Sequence, residues 1–166
     1  MNPLPFENLT YESPLSEDEL RQRISQFIEP KKIRFSRNKD TKPYEGYIDN
    51  NTFVINRIIQ NRNSFLPQIK GAFEDQINGT RIHVKMSVHL SIYVFLGIWC
   101  LGVFAALLVF IYQAFQENQW KFEILFPLGM LLFAYLLTTI GFKSESSKSK
   151  KDLINILDGK IVPNSL

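Results

Sequence analysis

Charged residues are missing from two long stretches of this chain, residues 86–116 and 124–142. Within these stretches, residues 90–112 and 124–142 are almost entirely apolar. As α-helices they are about 34 Å and about 28 Å long, close to the roughly 30 Å hydrocarbon core of a bilayer. Neither has the polar stripe that a surface helix of a soluble protein carries. The sequence therefore predicts two transmembrane helices.

Cysteine, histidine and catalytic motifs are scarce. The single cysteine, Cys100, lies in the first apolar segment, so neither a disulfide within the chain nor a cysteine-based metal site is expected. His83 and His89 have no third ligand near them in sequence, and the chain lacks G-x-S-x-G, H-E-x-x-H and Gly-rich phosphate motifs. The apolar segments contain no ionisable residue of the kind that marks a transport path. We therefore expect a protein without catalytic residues, metal or cofactor.

The sequence also lacks the features of a secretory signal peptide and of a nucleic-acid-binding protein. Residues 1–30 lack the apolar core of a secretory signal peptide, so no cleaved leader is expected. The net charge of +3 is too small to indicate a nucleic-acid partner.

Basic residues flank the outer ends of the apolar pair and are rare in its connector. Residues 113–123 contain one basic residue, Lys121, with Glu117 and Glu123 beside it. Basic residues occur just before residue 86 and just after residue 142. Because basic loops stay on the cytoplasmic side, this pattern predicts a hairpin with both termini in the cytoplasm.

Small residues at helical spacing are candidates for helix packing. Gly102 and Ala106 form such a pair in the first segment, and Ala134 and Thr138 form one in the second. Either the two helices of one hairpin pack through them, or they form a contact between copies of the chain. Pro127 falls in the first turn of the second helix, where its missing N–H costs nothing.

The rest of the chain is predicted to form one small domain and a tail. Residues 1–14 are read as an irregular arm, residues 15–88 as a cytoplasmic α+β domain and residues 89–142 as the hairpin. Residues 143–166 are read as a basic cytoplasmic tail, flexible at first because it is rich in serine and lysine. Residues 152–158 have the spacing of a short amphipathic helix.

One helix and a series of strands are predicted for the α+β domain. Ser16 and Glu19 form a capping box before a run with helical apolar spacing, and Pro30 ends that helix. Asn50-Asn51 and Asn78-Gly79 are typical of tight hairpin turns. The predicted strands comprise residues 32–36, 44–49, 52–59, 64–75 and 80–88. We expect a five-stranded antiparallel meander covered by the N-terminal helix.

Basic residues cluster after the predicted helix and in the tail. Residues 31–42 contain six basic residues and one acid, and an anionic membrane leaflet attracts such a cluster. The two arginines and two asparagines at positions 57 and 61–63 either organise a tight loop through side-chain to backbone bonds or bind an anion. The candidate anion or lipid-headgroup contacts are Lys31, Lys32, Arg34, Arg37, Arg57, Arg62, Lys148, Lys150 and Lys151. Alternatively, these charges only solvate a loop and set the membrane topology.

Several short motifs carry a resemblance to known proteins. They include Arg57-Ile-Ile, Arg62-Asn-Ser-Phe-Leu-Pro67 and Phe126-Pro-Leu-Gly129. Over about residues 45–157 the chain resembles a family of small uncharacterised bacterial membrane proteins, which have a strand-rich N-terminal domain and a two-helix transmembrane hairpin. The resemblance implies a bacterial inner membrane but no activity, so no functional residue is carried over. His89-Leu departs from the His-Pro pair expected at that place.

Two functions are compatible with these features. The favoured one is a non-enzymatic integral membrane protein whose cytoplasmic domain binds or scaffolds a partner protein or anionic lipid headgroups. The alternative is a subunit of an oligomeric channel or membrane-disrupting effector, in which hairpins from several copies assemble. The expected partners are accordingly membrane lipids, an unidentified protein or further copies of the chain.

Overall fold

The computed structural model describes residues 4–31, 42–59, 63–119 and 122–163. In these ranges the chain is an α+β protein in which a strand-rich part precedes two long apolar helices. The elements in order are β1 (Phe6–Ser13), α1 (Glu17–Phe27), β2 (Ile28–Glu29), β3 (Tyr44–Asp49), β4 (Thr52–Arg57), β5 (Pro67–Gln76), β6 (Gly79–Val88), α2 (Leu90–Gln116), a 3₁₀ turn (Phe122–Ile124), α3 (Leu125–Leu157) and β7 (Lys160–Val162). The strand predicted at residues 32–36 lies outside the described residues.

One sheet contains seven strands in the order β2-β3-β4-β5-β6-β1-β7. The pair β2–β3 is parallel, and every other neighbouring pair is antiparallel. The predicted five-stranded antiparallel meander is therefore wrong in strand number and in direction, and only β3 to β6 follow it. The segment read as an irregular arm, residues 1–14, contains β1 at Phe6–Ser13. Its pattern was obscure because Glu7, a charged residue, takes a position on the same face as the buried Tyr11.

The local signals for α1 and for the turns are largely confirmed. The Ser16 side chain accepts from the Glu19 backbone N–H, and the Glu19 carboxylate accepts from the Ser16 N–H at 2.9 Å, which completes the capping box. Asn50 has a φ of 38° at the tip of the first hairpin. The second hairpin turns one residue earlier than predicted, because Gln76 pairs with Gly79 and leaves Ile77-Asn78 at the tip.

Helices α2 and α3 are long and apolar enough to cross a membrane. Only 6% of the most apolar window of α2 and 17% of that of α3 is buried, so neither window is the core of the sheet domain. Helix α2 begins at Leu90, two residues after β6 ends at Val88, and the His89 ring caps its first turn by accepting from the Ser91 N–H.

Helix α3 continues beyond its apolar half and packs on the sheet. The tail predicted to be flexible and to contain a separate short helix is instead the last part of this one helix, followed by β7. Phe142, Ser146, Ser149 and Leu153 are all buried at helical spacing. Serine at two of these positions lets the helix backbone approach the sheet, and the small polar residues made this face hard to recognise in the sequence.

The hydrophobic core lies on one face of the sheet, under α1 and the last half of α3. Along β6, Ile82, Val84 and Met86 point into this core. Residues His83 and Lys85 alternate with them and are exposed, as the period of two predicts. We call the face that contains His83 and Lys85 the open face.

Candidate functional site

The Glu7 carboxylate joins β1 to the start of the sheet-packed half of α3. Its Oε1 accepts from Lys143 Nζ at 2.7 Å, and its Oε2 accepts from Ser146 Oγ at 2.8 Å and lies 2.9 Å from Lys150 Nζ. Burial raises the pKa of Glu7, but the bonds from these three side chains outweigh burial and hold the pKa below its ordinary value. We call Glu7, Lys143, Ser146 and Lys150 the Glu7 cluster.

A second polar cluster joins β3 and β4 to α3. Arg57 lies 3.3 Å from the Glu145 carboxylate and 3.4 Å from that of Asp152. Lys148 lies 2.7 Å from the other oxygen of Glu145. The Tyr44 hydroxyl donates to Asp152 at 3.0 Å, and burial together with the Asp152 charge raises the pKa of Tyr44. This arrangement, the Arg57 cluster, holds α3 on the same face of the sheet as Glu7, with β5 and β6 between β4 and β1 in the strand order.

The loop before β5 contacts α3 where its apolar half ends. Asn63 Nδ2 donates to the Gly141 carbonyl at 3.3 Å, while Asn63 Oδ1 accepts from the Phe65 N–H at 3.0 Å. A Cβ at Gly141 would lie 3.0 Å from the Phe65 ring. Asn63 therefore forms side-chain to backbone bonds of the kind that the loop-organising alternative predicts.

The open face has a basic patch with a shallow concavity beside it. Lys70 of β5 is directly opposite Lys85 of β6 in the antiparallel register, and both are exposed. Next to Lys70 is a concavity of about 190 Å³. Its lining residues are Lys31, Gly46, Tyr47, Val54, Asn56, Gln68 and Lys70.

The structure separates the predicted basic residues into different surroundings. Arg57, Lys148 and Lys150 belong to the two clusters that hold α3 on the sheet. Lys31 borders the concavity on the open face, and Lys151 is exposed on α3. The other candidates lie outside the described residues: Lys32, Arg34, Arg37 and Arg62.

Sequence reasoning missed Lys70 and Lys85 as a pair. Each lies on the polar phase of a strand with period-two alternation, and each is the same number of residues from the turn at Ile77-Asn78. Counting outward from that turn pairs the two lysines. The signal was therefore present in the sequence, once the turn is placed at the correct residue.

The predicted helix-packing residues lie in two environments. Gly102 and Ala106 border an apolar groove of about 420 Å³ between α2 and α3, with Pro127 on its other side. Thr138 is buried, and its hydroxyl donates to the Ala134 carbonyl at 2.7 Å within α3. The first pair is thus available at a groove, whereas the second makes a bond within its own helix.

The polar clusters have the chemistry of structural contacts. Over the described ranges, no group of three or more His, Cys, Asp or Glu side chains is placed to hold a metal ion. Ser146, a hydroxyl in the Glu7 cluster, is fully buried and donates to Glu7. The basic patch on the open face is accessible, and within the described ranges no salt bridge joins Lys70 or Lys85 to an acid. It is therefore the candidate binding surface.

Comparison with known proteins adds no assignment to this surface. No protein-family model, no curated protein and no solved structure matches the chain. The resemblance to small bacterial membrane proteins rests on the sequence motifs alone and stays a prediction. The function is accordingly inferred from the residues and contacts of the chain itself.

Proposed function

We propose that the chain is a non-enzymatic integral membrane protein of the bacterial inner membrane. Helices α2 and α3 cross the bilayer, and the sheet domain lies on the cytoplasmic side with both termini. There it binds or scaffolds a partner protein or anionic lipid headgroups. The observation that carries the proposal is α3, which runs as one helix from an exposed apolar half into the buried core of the sheet domain.

The two attachments of the hairpin support a domain held close to the bilayer. Helix α2 starts two residues after Val88, and α3 enters the core at Phe142 without a break. Both helices therefore leave the same domain, which supports the proposal of a domain on a single side of the bilayer. A linker-free connection of this kind keeps the domain at the headgroups rather than free in the cytoplasm.

The open face of the sheet is the surface left for a ligand. The other face is buried under α1 and α3, so a partner that contacts the sheet broadly meets the open face or one of the short edge strands. Strands β2 and β7 at the edges have two and three residues. Such short edges offer little backbone for strand addition, and this favours binding through side chains of the open face.

Membrane topology can be tested with single cysteines. On a Cys100→Ser background, Ser147→Cys probes α3 beyond its apolar half and Gln119→Cys probes the connector, since both positions are exposed. A membrane-impermeant maleimide should label position 119 in spheroplasts and position 147 only in inverted vesicles. Labelling of both from one side, or extraction of the chain by alkaline carbonate, would contradict the membrane proposal.

Ligand binding by the open face can be tested by photo-crosslinking in cells. A photoreactive phenylalanine at Tyr47, which is 60% exposed on the open face, should yield discrete adducts with a protein or a lipid. The matched control is the same residue at Asn155, an exposed position on α3. Equal adducts at both positions, or none at Tyr47, would contradict binding through this face.

The groove between α2 and α3 favours a second candidate function, an oligomeric channel or membrane-disrupting effector. Its lining is apolar and includes Gly102 and Ala106, so a helix of another copy can approach closely there. The mass of the protein in mild detergent and in nanodiscs tests this candidate. A discrete oligomer with conductance in planar bilayers would support it, and a strict monomer would exclude it.

A further inference from the structure

We infer that Lys70 and Lys85, with Lys31 beside them, bind the phosphate of an anionic lipid headgroup on the open face of the sheet. The inference rests on the proposed function, since it requires the sheet domain at the bilayer surface. It goes further by naming the residues and the ligand chemistry. It also differs from the expectation drawn from the sequence, which assigned this role in part to Arg57, Lys148 and Lys150.

The first observation is an uncompensated pair of like charges. Lys70 and Lys85 are direct cross-strand neighbours, a position in which Cβ atoms are about 4.5–5.5 Å apart and like charges repel. None of the salt bridges among the described residues involves either lysine. Farther along the same face, Arg81 lies 2.8 Å from Glu12 and His83 lies 2.9 Å from Glu74. The cations at that end of the face form ion pairs, whereas the two lysines can bind an external anion.

The second observation is the concavity that adjoins Lys70. Its lining includes Gly46 and Tyr47 of β3 and Val54 of β4. Asn56 and Gln68 add side-chain amides that can donate to phosphate oxygens. Donors of this kind next to two ammonium groups suit a phosphate better than an apolar or cationic ligand.

The third observation is the position of the patch along the strands. Lys70 is three residues from Pro67 at the start of β5, and Lys85 is three residues from Val88 at the end of β6. At about 3.4 Å per residue, both lie about 10 Å from the end of the sheet that leads into α2. That distance is near the Debye length of about 8 Å at physiological salt. A lysine side chain can bring its ammonium closer to the bilayer than the backbone lies. Headgroups of the surrounding bilayer are therefore the phosphates closest to the site.

The test uses the full chain in mild detergent, titrated with phosphatidylglycerol or phosphatidylcholine and followed by native mass spectrometry. The variant is Lys70→Gln/Lys85→Gln. The matched control, Lys151→Gln/Lys160→Gln, removes the same charge from two exposed lysines elsewhere. The first variant should weaken phosphatidylglycerol binding roughly thirty-fold, as expected for two lysines near an anionic surface. The control should change it less than about threefold on the same scale.

Two further readouts separate the site from a folding defect and from a soluble ligand. The unfolding temperature of Lys70→Gln/Lys85→Gln should equal or exceed that of the wild type, because the variant removes repulsion. Phosphatidylglycerol should raise the unfolding temperature of the wild type and not of this variant. Water-soluble glycerol phosphate should bind far more weakly than the lipid.

Three outcomes would overturn the inference. They are unchanged phosphatidylglycerol binding by Lys70→Gln/Lys85→Gln, an equal loss in the control variant, and glycerol phosphate binding as tight as that of the lipid. None of them touches the cysteine-labelling test of topology, which uses positions 119 and 147. A failure of the headgroup site is thus distinguishable from a failure of the proposed membrane function.

Discussion

Lys143 Nζ lies 2.7 Å from Oε1 of Glu7, so the first strand of the sheet is joined to α3 at the residue that follows its apolar half. The side chains of Lys143 and Glu7 are 23% and 11% exposed, so the ion pair is largely buried. An ion pair at this place attaches α3 to the sheet domain just beyond its apolar half. It also connects residues that are far apart in the sequence.

Removal of the Glu7 carboxylate should loosen α3 from the sheet. Glu7→Gln leaves Lys143 and Lys150 without their acid, and we expect a loss of about 1.5–3 kcal/mol in the free energy of unfolding. Thermal unfolding of the detergent-solubilised chain measures the loss. Glu12→Gln is the control, because Glu12 pairs with Arg81 on the open face of the same strand, where an exposed pair contributes about 1 kcal/mol or less. Equal losses in the two variants would contradict the role of Glu7.

The stabilisation from Glu7 should depend on pH in a defined direction. Its folded pKa is lower than the ordinary value of 4.5, so its contribution is complete above the unfolded pKa and is lost as the pH falls through the folded pKa. The difference in unfolding free energy between wild type and Glu7→Gln should thus be constant near neutral pH and shrink below pH 4.5. Leu153→Ala is the control, since it removes no titrating group. A difference that grows in acid would reverse the assigned sign.

The last half of α3 should behave as core rather than as a tail. Leu153 is 1% exposed against the sheet, and Leu153→Ala should lower the free energy of unfolding by about 2–5 kcal/mol. Its neighbour Ile154 is 38% exposed, and Ile154→Ala should change it by about 0.5 kcal/mol. Denaturant unfolding in detergent compares the two. Similar small effects would mean that this part of the helix does not pack on the sheet.

Arg57 should act in stability and not in lipid binding. Arg57→Gln leaves the buried Glu145 carboxylate with Lys148 alone, and we expect a loss of about 1.5–3 kcal/mol in unfolding free energy. Phosphatidylglycerol binding by the folded variant should match the wild type, in contrast to Lys70→Gln/Lys85→Gln. Lipid titration followed by native mass spectrometry distinguishes the two. Weaker lipid binding by folded Arg57→Gln would show that Arg57 contributes to headgroup binding after all.

Gly71 should not tolerate a side chain. A Cβ there would lie 2.1 Å from Cζ of Phe53, a fully buried ring whose centroid is 5.4 Å from that of Phe73. Gly71→Ala should therefore cost about 1–3 kcal/mol by overpacking. Gly97→Ala in α2 is the control, because nothing lies within 4 Å of its Cβ position. Thermal unfolding that is unchanged in Gly71→Ala would contradict the packing of Phe53 over this glycine.

Patterns that depend only on neighbouring residues were readable in the sequence. The capping box of Ser16 and Glu19 formed as predicted because a helix end is satisfied by side chains within one turn. The alternation along β6 correctly separated Met86, which is buried, from Lys85, which is exposed. The Asn78-Gly79 turn was found but placed one residue late, since the register of a hairpin also depends on the pairing of its strands.

Contacts between distant residues explain what the sequence did not reveal. Strand β1 is paired with β6, which follows it by some seventy positions, so its own composition gave little sign of a strand. The polar run after Lys143 looked flexible because its serines are small, yet Ser146 and Ser149 are buried where the helix meets the sheet. Arg57 and Lys150 looked like free cations because their acids lie elsewhere in the chain.

The sequence by itself determined the two apolar helices, the capped first helix and the two-faced strands, because hydrophobicity and capping act over a few residues. Tertiary structure alone decided which charged side chains form ion pairs between elements and which remain available to bind a ligand. Glu7 faces inward and holds α3, whereas Lys70 and Lys85 face outward and pair with no acid in the part of the chain that the structure describes. That division depends on the order of strands in the sheet and on the helix that covers one face of it. Only folding brings those parts of the chain together.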